Sequence, residues 1–163
     1  MKRILAVVFL VAGCASTEPE KRSESTELPA SQQTVTTDAR ARSKAHTDLG
    51  TLYLQGRQAN VALEEARMAI RADPSYALAY NLLAQVHAFV GDHAAASSNF
   101  ERAIALSPGD PQINNDFGWF LCERGREPEG LARLNQAASH PLNPAPSRAW
   151  FNVMPHPGIA KHP

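Results

Sequence analysis

The chain has 163 residues, which is room for one ordinary domain or a short repeat array and too little for two comfortable cores. Sixteen lysines and arginines balance sixteen carboxylates, so nothing in the charge points to nucleic acid. The two cysteines, Cys14 and Cys122, stand in unlike surroundings and make no disulfide framework, and the six histidines have no spacing that would gather a metal.

The first element in chain order is an address. Lys2 and Arg3 precede an apolar run over 4–12 that closes on small residues, the layout of a secretory signal. That run has nine residues, whereas a helix that spans a bilayer needs about 20. The string Val11-Ala12-Gly13-Cys14 resembles a bacterial lipobox, in which the cysteine is acylated and becomes the first residue of the mature chain. Each buried methylene of such an anchor contributes about 0.8 kcal/mol, so several acyl chains hold firmly where one holds weakly. Ala15 and Ser16 follow the cysteine in place of an aspartate, which the sorting of such lipoproteins links to the outer membrane.

Residues 17–37 are rich in Ser, Thr, Glu and Gln, contain Pro19 and Pro29, and carry only Leu28 and Val35 as large apolar groups. Such a stretch cannot bury enough surface to offset the entropy of ordering, and it reads as a disordered tether. As a coil its root-mean-square span is roughly 25 Å.

The remainder repeats itself. Asp73-Pro74 and Ser107-Pro108 lie 34 residues apart, and each ends an alanine-rich helical pattern, EEARMAIRADP and SNFERAIALSP. That period is the one of a tetratricopeptide repeat (TPR), two antiparallel helices per unit. Anchoring on Pro74 and Pro108 sets repeats at 43–76, 77–110 and 111–144. Small residues then fall where paired helices approach most closely: Gly50, Ala84 and Gly118 on the first helices, and Ala62, Ala96 and Gly130, then Ala69, Ala103 and Ala137, on the second. Larger residues are expected to pack around them, namely Leu49, Leu83 and Phe117, then Tyr53 and Leu121, with Phe100 and Leu134 on the second helices. Gly56, Gly91 and Gly125 are expected to end the first helices in a left-handed conformation.

The expected fold is therefore an all-α solenoid of three helical hairpins plus a truncated fourth. First helices of such a stack line a concave groove. In this register the groove carries Lys44, Thr47, Thr51 and Gln55, then Leu78, Asn81, Gln85 and Phe89, then Gln112, Asn115, Trp119 and Glu123. Amides and hydroxyls with a few aromatics suit an extended peptide, whose backbone the amides can satisfy while the aromatics take its apolar side chains. For Asn81 and Asn115, satisfaction of neighbouring backbone groups and contact with a ligand are equally open readings, and a tryptophan at helical spacing is more often packing than contact. Repeats that clamp a terminal carboxylate use basic residues where this chain has Gln112 and Asp116, which argues against that partner class. Cys122 reads as a small buried hydrophobe. No base, nucleophile or metal set converges, so no catalytic residue and no cofactor is assigned.

Over 113–130 the string INNDFGWFLCERGREPEG resembles the third repeat of the type IV pilus biogenesis/stability lipoproteins, the PilW or PilF family. The segment from EEARMAIRADP to SPGDP is similar to the same family, and the likeness covers about 38–150. Within it, Asn-Asn-x-x-Gly-Trp-Phe-Leu-Cys at 114–122 is not dictated by the repeat consensus. The resemblance implies a pilotin-like, outer-membrane lipoprotein on the periplasmic face that helps the pilus secretin assemble or reach the membrane. Its partners would be the secretin or other pilus assembly proteins, with membrane lipid engaged through acylated Cys14 and no nucleic acid. A generic periplasmic TPR lipoprotein that scaffolds cell-wall or outer-membrane assembly complexes is the alternative.

Members of that family continue with further repeats. Here PSRAWFN starts what reads as a fourth first-helix, over 146–152, and 153–163 then carries Pro155, Pro157, Gly158 and Pro163, which a helix cannot accommodate. The tail reads as truncated or frameshifted. The expected organisation is thus a signal over 1–13, the lipidated cysteine and linker over 14–37, a repeat domain over 38–152 and an irregular tail.

Overall fold

A computed structural model describes residues 38–141. The signal, Cys14, the linker, the partial fourth-repeat helix and the tail lie outside the described residues. Six helices and no strands occur among the described residues: α1 Asp38–Gln55, α2 Ala59–Ala72, α3 Ala77–Phe89, α4 His93–Leu106, α5 Pro111–Glu123 and α6 Glu127–Ala138. They pair as hairpins α1/α2, α3/α4 and α5/α6, and each hairpin packs its second helix on the first helix of the next.

Local chemistry sets the helix ends. Asp92 begins α4 by accepting from Ala95 N–H, and Asp110 begins α5 by accepting from both Gln112 N–H and Ile113 N–H ahead of Pro111. Glu127 and Glu129 sit in the first turn of α6, where the helix dipole favours negative charge. Each hairpin closes on the same bond, spaced by one repeat: Gln58 N–H to the Tyr53 carbonyl, Asp92 N–H to His87 and Arg126 N–H to Leu121, all at 2.9 Å. This closure needs a left-handed residue. Gly91 (φ 83°) and Gly125 (φ 74°) supply it in two hairpins. In the first, Arg57 (φ 60°) does so and Gly56 does not, which corrects the expectation for that turn.

The predicted small residues are buried at the crossings. Ala62, Ala69, Ala84, Ala96, Ala103 and Ala137 have no exposed surface, and Gly50, Gly118 and Gly130 are buried with them. A Cβ on Gly118 would lie 2.9 Å from the Gly130 carbonyl oxygen, and one on Gly130 would lie 2.7 Å from the Gly118 carbonyl oxygen. The helices α5 and α6 therefore touch backbone to backbone. Such crossings bury little apolar surface themselves, and aromatics between hairpins supply more. Phe100 stacks on Phe117 at 5.1 Å between centroids and tilts against Phe120 at 5.3 Å; burying a phenyl group fully contributes about 2–3 kcal/mol.

Leu83, Phe117, Leu121, Phe100, Leu134 and Tyr53 are buried or partly buried, as expected. Leu49 is not: it is 40% exposed. Its counterparts Leu83 and Phe117 lie against the second helix of the preceding hairpin, and among the described residues α1 has no such neighbour. Pro74 and Pro108 sit exposed in the turns between hairpins.

Ahead of the first predicted repeat boundary, Arg40 ties α1 to the α2–α3 turn. Its Nε donates to Asp73 Oδ2 at 2.6 Å, Nη2 donates to Ser75 Oγ at 3.0 Å, and the guanidinium lies 5.0 Å from the Tyr76 ring centroid. Burial raises the Asp73 pKa, but bonds from the Ser75 hydroxyl, the Ser75 N–H and Arg40 outweigh it and hold the carboxyl below its usual range. The Tyr76 phenol is pushed up to about 12 by burial first and by nearby carboxylates second.

Candidate functional site

The first helices α1, α3 and α5 share one face, and two adjoining hollows open along it. The hollow nearer α1 has a volume of about 290 Å³ and is walled by Thr47, Thr51, Leu78, Asn81 and Gln112. The second, of about 420 Å³, runs between α3 and α5 past Phe89, Asn115, Asp116, Trp119 and Glu123, with Phe100 and Phe120 below. Gln85 belongs to both, so the hollows form one groove.

Of the predicted groove residues, Thr47, Thr51, Leu78, Asn81, Gln85, Phe89, Gln112, Asn115, Trp119 and Glu123 are brought to it. Lys44 is not. It lies outside both hollows on exposed surface, where Nζ bonds Asp48 Oδ2 at 2.6 Å one turn along the helix. Gln55 also lines neither hollow. The two threonines contribute less hydrogen-bonding capacity than their type suggests, because each hydroxyl donates back into α1. Thr47 Oγ1 bonds the Ser43 carbonyl and Thr51 Oγ1 the Thr47 carbonyl, both at 2.8 Å.

Asp116 organises the centre. Its Oδ2 accepts from Asn81 Nδ2 at 2.8 Å and Gln85 Nε2 at 3.1 Å, and Oδ1 accepts from Asn115 Nδ2 at 3.3 Å. Sequence reasoning used Asp116 only to exclude a carboxylate clamp. The signal that could have found its role is spacing: Asn81 and Gln85 are one turn apart on α3, with an acid at the matching height on α5. Trp119 is half-buried in the groove wall and Phe89 is exposed at its rim, where the Arg57 guanidinium lies 5.7 Å from the ring centroid.

Cys122 is half-buried, more open than a core hydrophobe, with its Sγ where a Cβ on Gly130 would have to stand. Burial first, then Glu127 and Glu123, push its thiol pKa up, which keeps it protonated and a poor nucleophile. Among the described residues there is no group of three or more His, Cys, Asp or Glu that could hold a metal, and no helix is long and apolar enough to cross a membrane.

Residues 43–154 match the tetratricopeptide repeat family. The chain belongs to that family. It is homologous to the type IV pilus biogenesis proteins PilF and PilW. The type IV pilus assembly protein PilF of Pseudomonas aeruginosa is 32% identical over 109 residues, which cover 67% of this chain and 43% of that one. The crystal structure of PilW, a widely conserved type IV pilus biogenesis factor, superposes with a TM-score of 0.64 at 30% identity and covers 68% of this chain and 51% of that one. The structure of Pseudomonas aeruginosa PilF does so at 0.68 and 30%, covering 72% and 53%. The chain thus spans about half the length of these relatives.

Proposed function

We propose that this protein is a non-catalytic adaptor in type IV pilus biogenesis, anchored through Cys14 to the periplasmic face of the outer membrane, where it promotes assembly or localisation of the secretin. The observation that carries the reading is the joint likeness of sequence and fold to PilF and PilW across the three hairpins. The continuous groove along α1, α3 and α5 supports it by offering a place for another polypeptide.

Two measurements test it. In a strain lacking the gene, secretin multimers extracted from outer membranes should fall and should return with the intact gene; unchanged multimers exclude the secretin role and favour a general scaffold. Labelled palmitate should enter the parent protein and be absent from Cys14→Ala, and a parent without label removes the anchor from the proposal.

A further inference from the structure

The later first helices each turn an apolar stripe toward the second helix before them. On α3 the stripe is Ala79, Leu83 and Val86, and on α5 it is Ile113, Phe117 and Phe120. Val86 keeps 1% of its surface and Phe120 5%. Val86 shares a buried cluster with Ala62 of α2, and Ala79 shares one with Ala69. One repeat earlier the same positions on α1 are Ala45, Leu49 and Leu52, and all three are exposed, Leu52 by 64%. Helix α1 thus presents the face of an inner repeat, with no helix against it among the described residues.

The chain ahead of α1 changes character at residue 28. Residues 17–27 hold Glu18, Glu20, Lys21, Arg22, Glu24 and Glu27, whereas 28–37 is uncharged and holds both large apolar residues of the linker, Leu28 and Val35. Counting back one 34-residue period from Ala62 and Ala69 lands on those two residues. The close crossing with Gly50 keeps position 62 small. A segment that covers α1 alone meets no second helix, and it admits leucine or valine at these positions. Reach agrees with register. Along the helix axis Leu52 stands about 21 Å from Asp38 and Ala45 about 10 Å. The ten residues that separate Leu28 from Asp38 extend to about 33 Å, and the three that separate Val35 extend to about 10 Å.

We propose that residues 28–35 of this chain fold back on α1, with Leu28 against Leu49 and Leu52 and Val35 against Ala45, and close the first end of the solenoid. The inference goes beyond the adaptor reading and does not depend on it. The linker then works in two parts. Residues 17–27 remain a charged, solvated spacer, and 28–37 belong to the repeat domain. The root-mean-square span of the free spacer falls from roughly 25 Å to roughly 18 Å, which holds the repeats closer to whatever carries the start of the chain.

The test uses the full chain and two readouts. Benzoylphenylalanine, a photo-reactive residue, is placed at position 52, and cross-linked peptides are identified by mass spectrometry. It should capture 28–35 within a monomer, and the same probe at exposed Asn60, on α2 and off the stripe, should not. Thermolysin, which cuts ahead of large apolar residues, then samples the bonds before Leu28 and Val35 in the unmodified chain. Leu52→Ser should speed both cuts roughly fivefold, because cleavage follows the undocked fraction. The hairpins themselves should be cut no faster, since Leu52 is exposed. Cross-links that join two chains place a second copy on the stripe and overturn the proposal. Equal capture of 28–35 from position 60, no capture from position 52, or cleavage that Leu52→Ser leaves unchanged overturns it as well, and none of these results touches the pilus reading.

Discussion

The first and third hairpins fill the same repeat positions with different physics. In α5/α6, Gly118 and Gly130 face each other's backbone, and a Cβ on either would press on a carbonyl oxygen that cannot move aside. In α1/α2, a Cβ on Gly50 would meet the Leu82 Cδ2 methyl of α3 at 2.6 Å and the Glu65 Cβ at 3.0 Å, while the Ala62 carbonyl oxygen stays at 3.4 Å. A methyl at the end of a side chain can change rotamer; a carbonyl held in a helix cannot. The same repeat position thus reports backbone contact in one hairpin and side-chain crowding in the other, and in the first hairpin the Arg40 clasp further ties α1 to the α2–α3 turn.

The comparison is most exposed to Gly118→Ala. Helices α5 and α6 must separate to admit the methyl, so a loss of about 3 kcal/mol is expected in urea unfolding. A loss no larger than that of Gly50→Ala breaks the distinction.

Next is Arg40→Ala, which removes a partly buried charged bond to Asp73, a bond to Ser75 and the Tyr76 contact, with an expected cost of about 2 kcal/mol at neutral pH. The pH dependence sharpens this. The Asp73 pKa is lowered on folding, so its contribution is fully present above its ordinary value of 3.8 and is lost as pH falls through the lower folded value. The stability gap between parent and variant should be full at neutral pH and narrow in acid to what the Ser75 bond and the Tyr76 contact contribute. A gap that stays constant into acid would show that packing on Tyr76, and not the ion pair, makes the clasp.

Gly50→Ala should cost about 1 kcal/mol, since Leu82 can shift. The smallest effect expected is a gain. Arg57→Gly removes a left-handed non-glycine residue but also the guanidinium over Phe89, for a net stabilisation of about 0.5 kcal/mol in thermal unfolding.

Most of the fold was legible because close helix crossings admit only Gly or Ala, and that constraint leaves its period in the chain. The residues at 50, 84 and 118 and at 62, 96 and 130 are small for the same steric reason, and each is buried. Periodicity fails where repeats cease to be equivalent. Leu49 occupies the position of Leu83 and Phe117, yet its burial depends on a neighbour that α1 lacks among the described residues. Arg57 occupies the position of Gly91 and Gly125 and is forced left-handed by the shared closing bond, so Gly56, one residue early, misled.

The groove was legible as a row of first-helix positions and illegible as a network. Sequence spacing put Asn81, Gln85 and Asn115 on one face, but whether an amide offers its nitrogen or its oxygen depends on what lies opposite. Only the placement of Asp116 across from α3 decides it. Lys44 illustrates the reverse case: its helical position pointed toward the groove, and a partner one turn away on its own helix holds it at the surface.

The thiol wedged against Gly130 turns that seam into a gauge of its own opening. With Cys122 half-covered and its proton held by burial and two nearby carboxylates, alkylating reagents should react slowly while α5 and α6 stay closed. Labelling of Cys122, followed by peptide mass spectrometry with and without a bound segment, would then report whether occupancy of the groove covers or loosens the seam of the third hairpin, with no foreign reporter introduced.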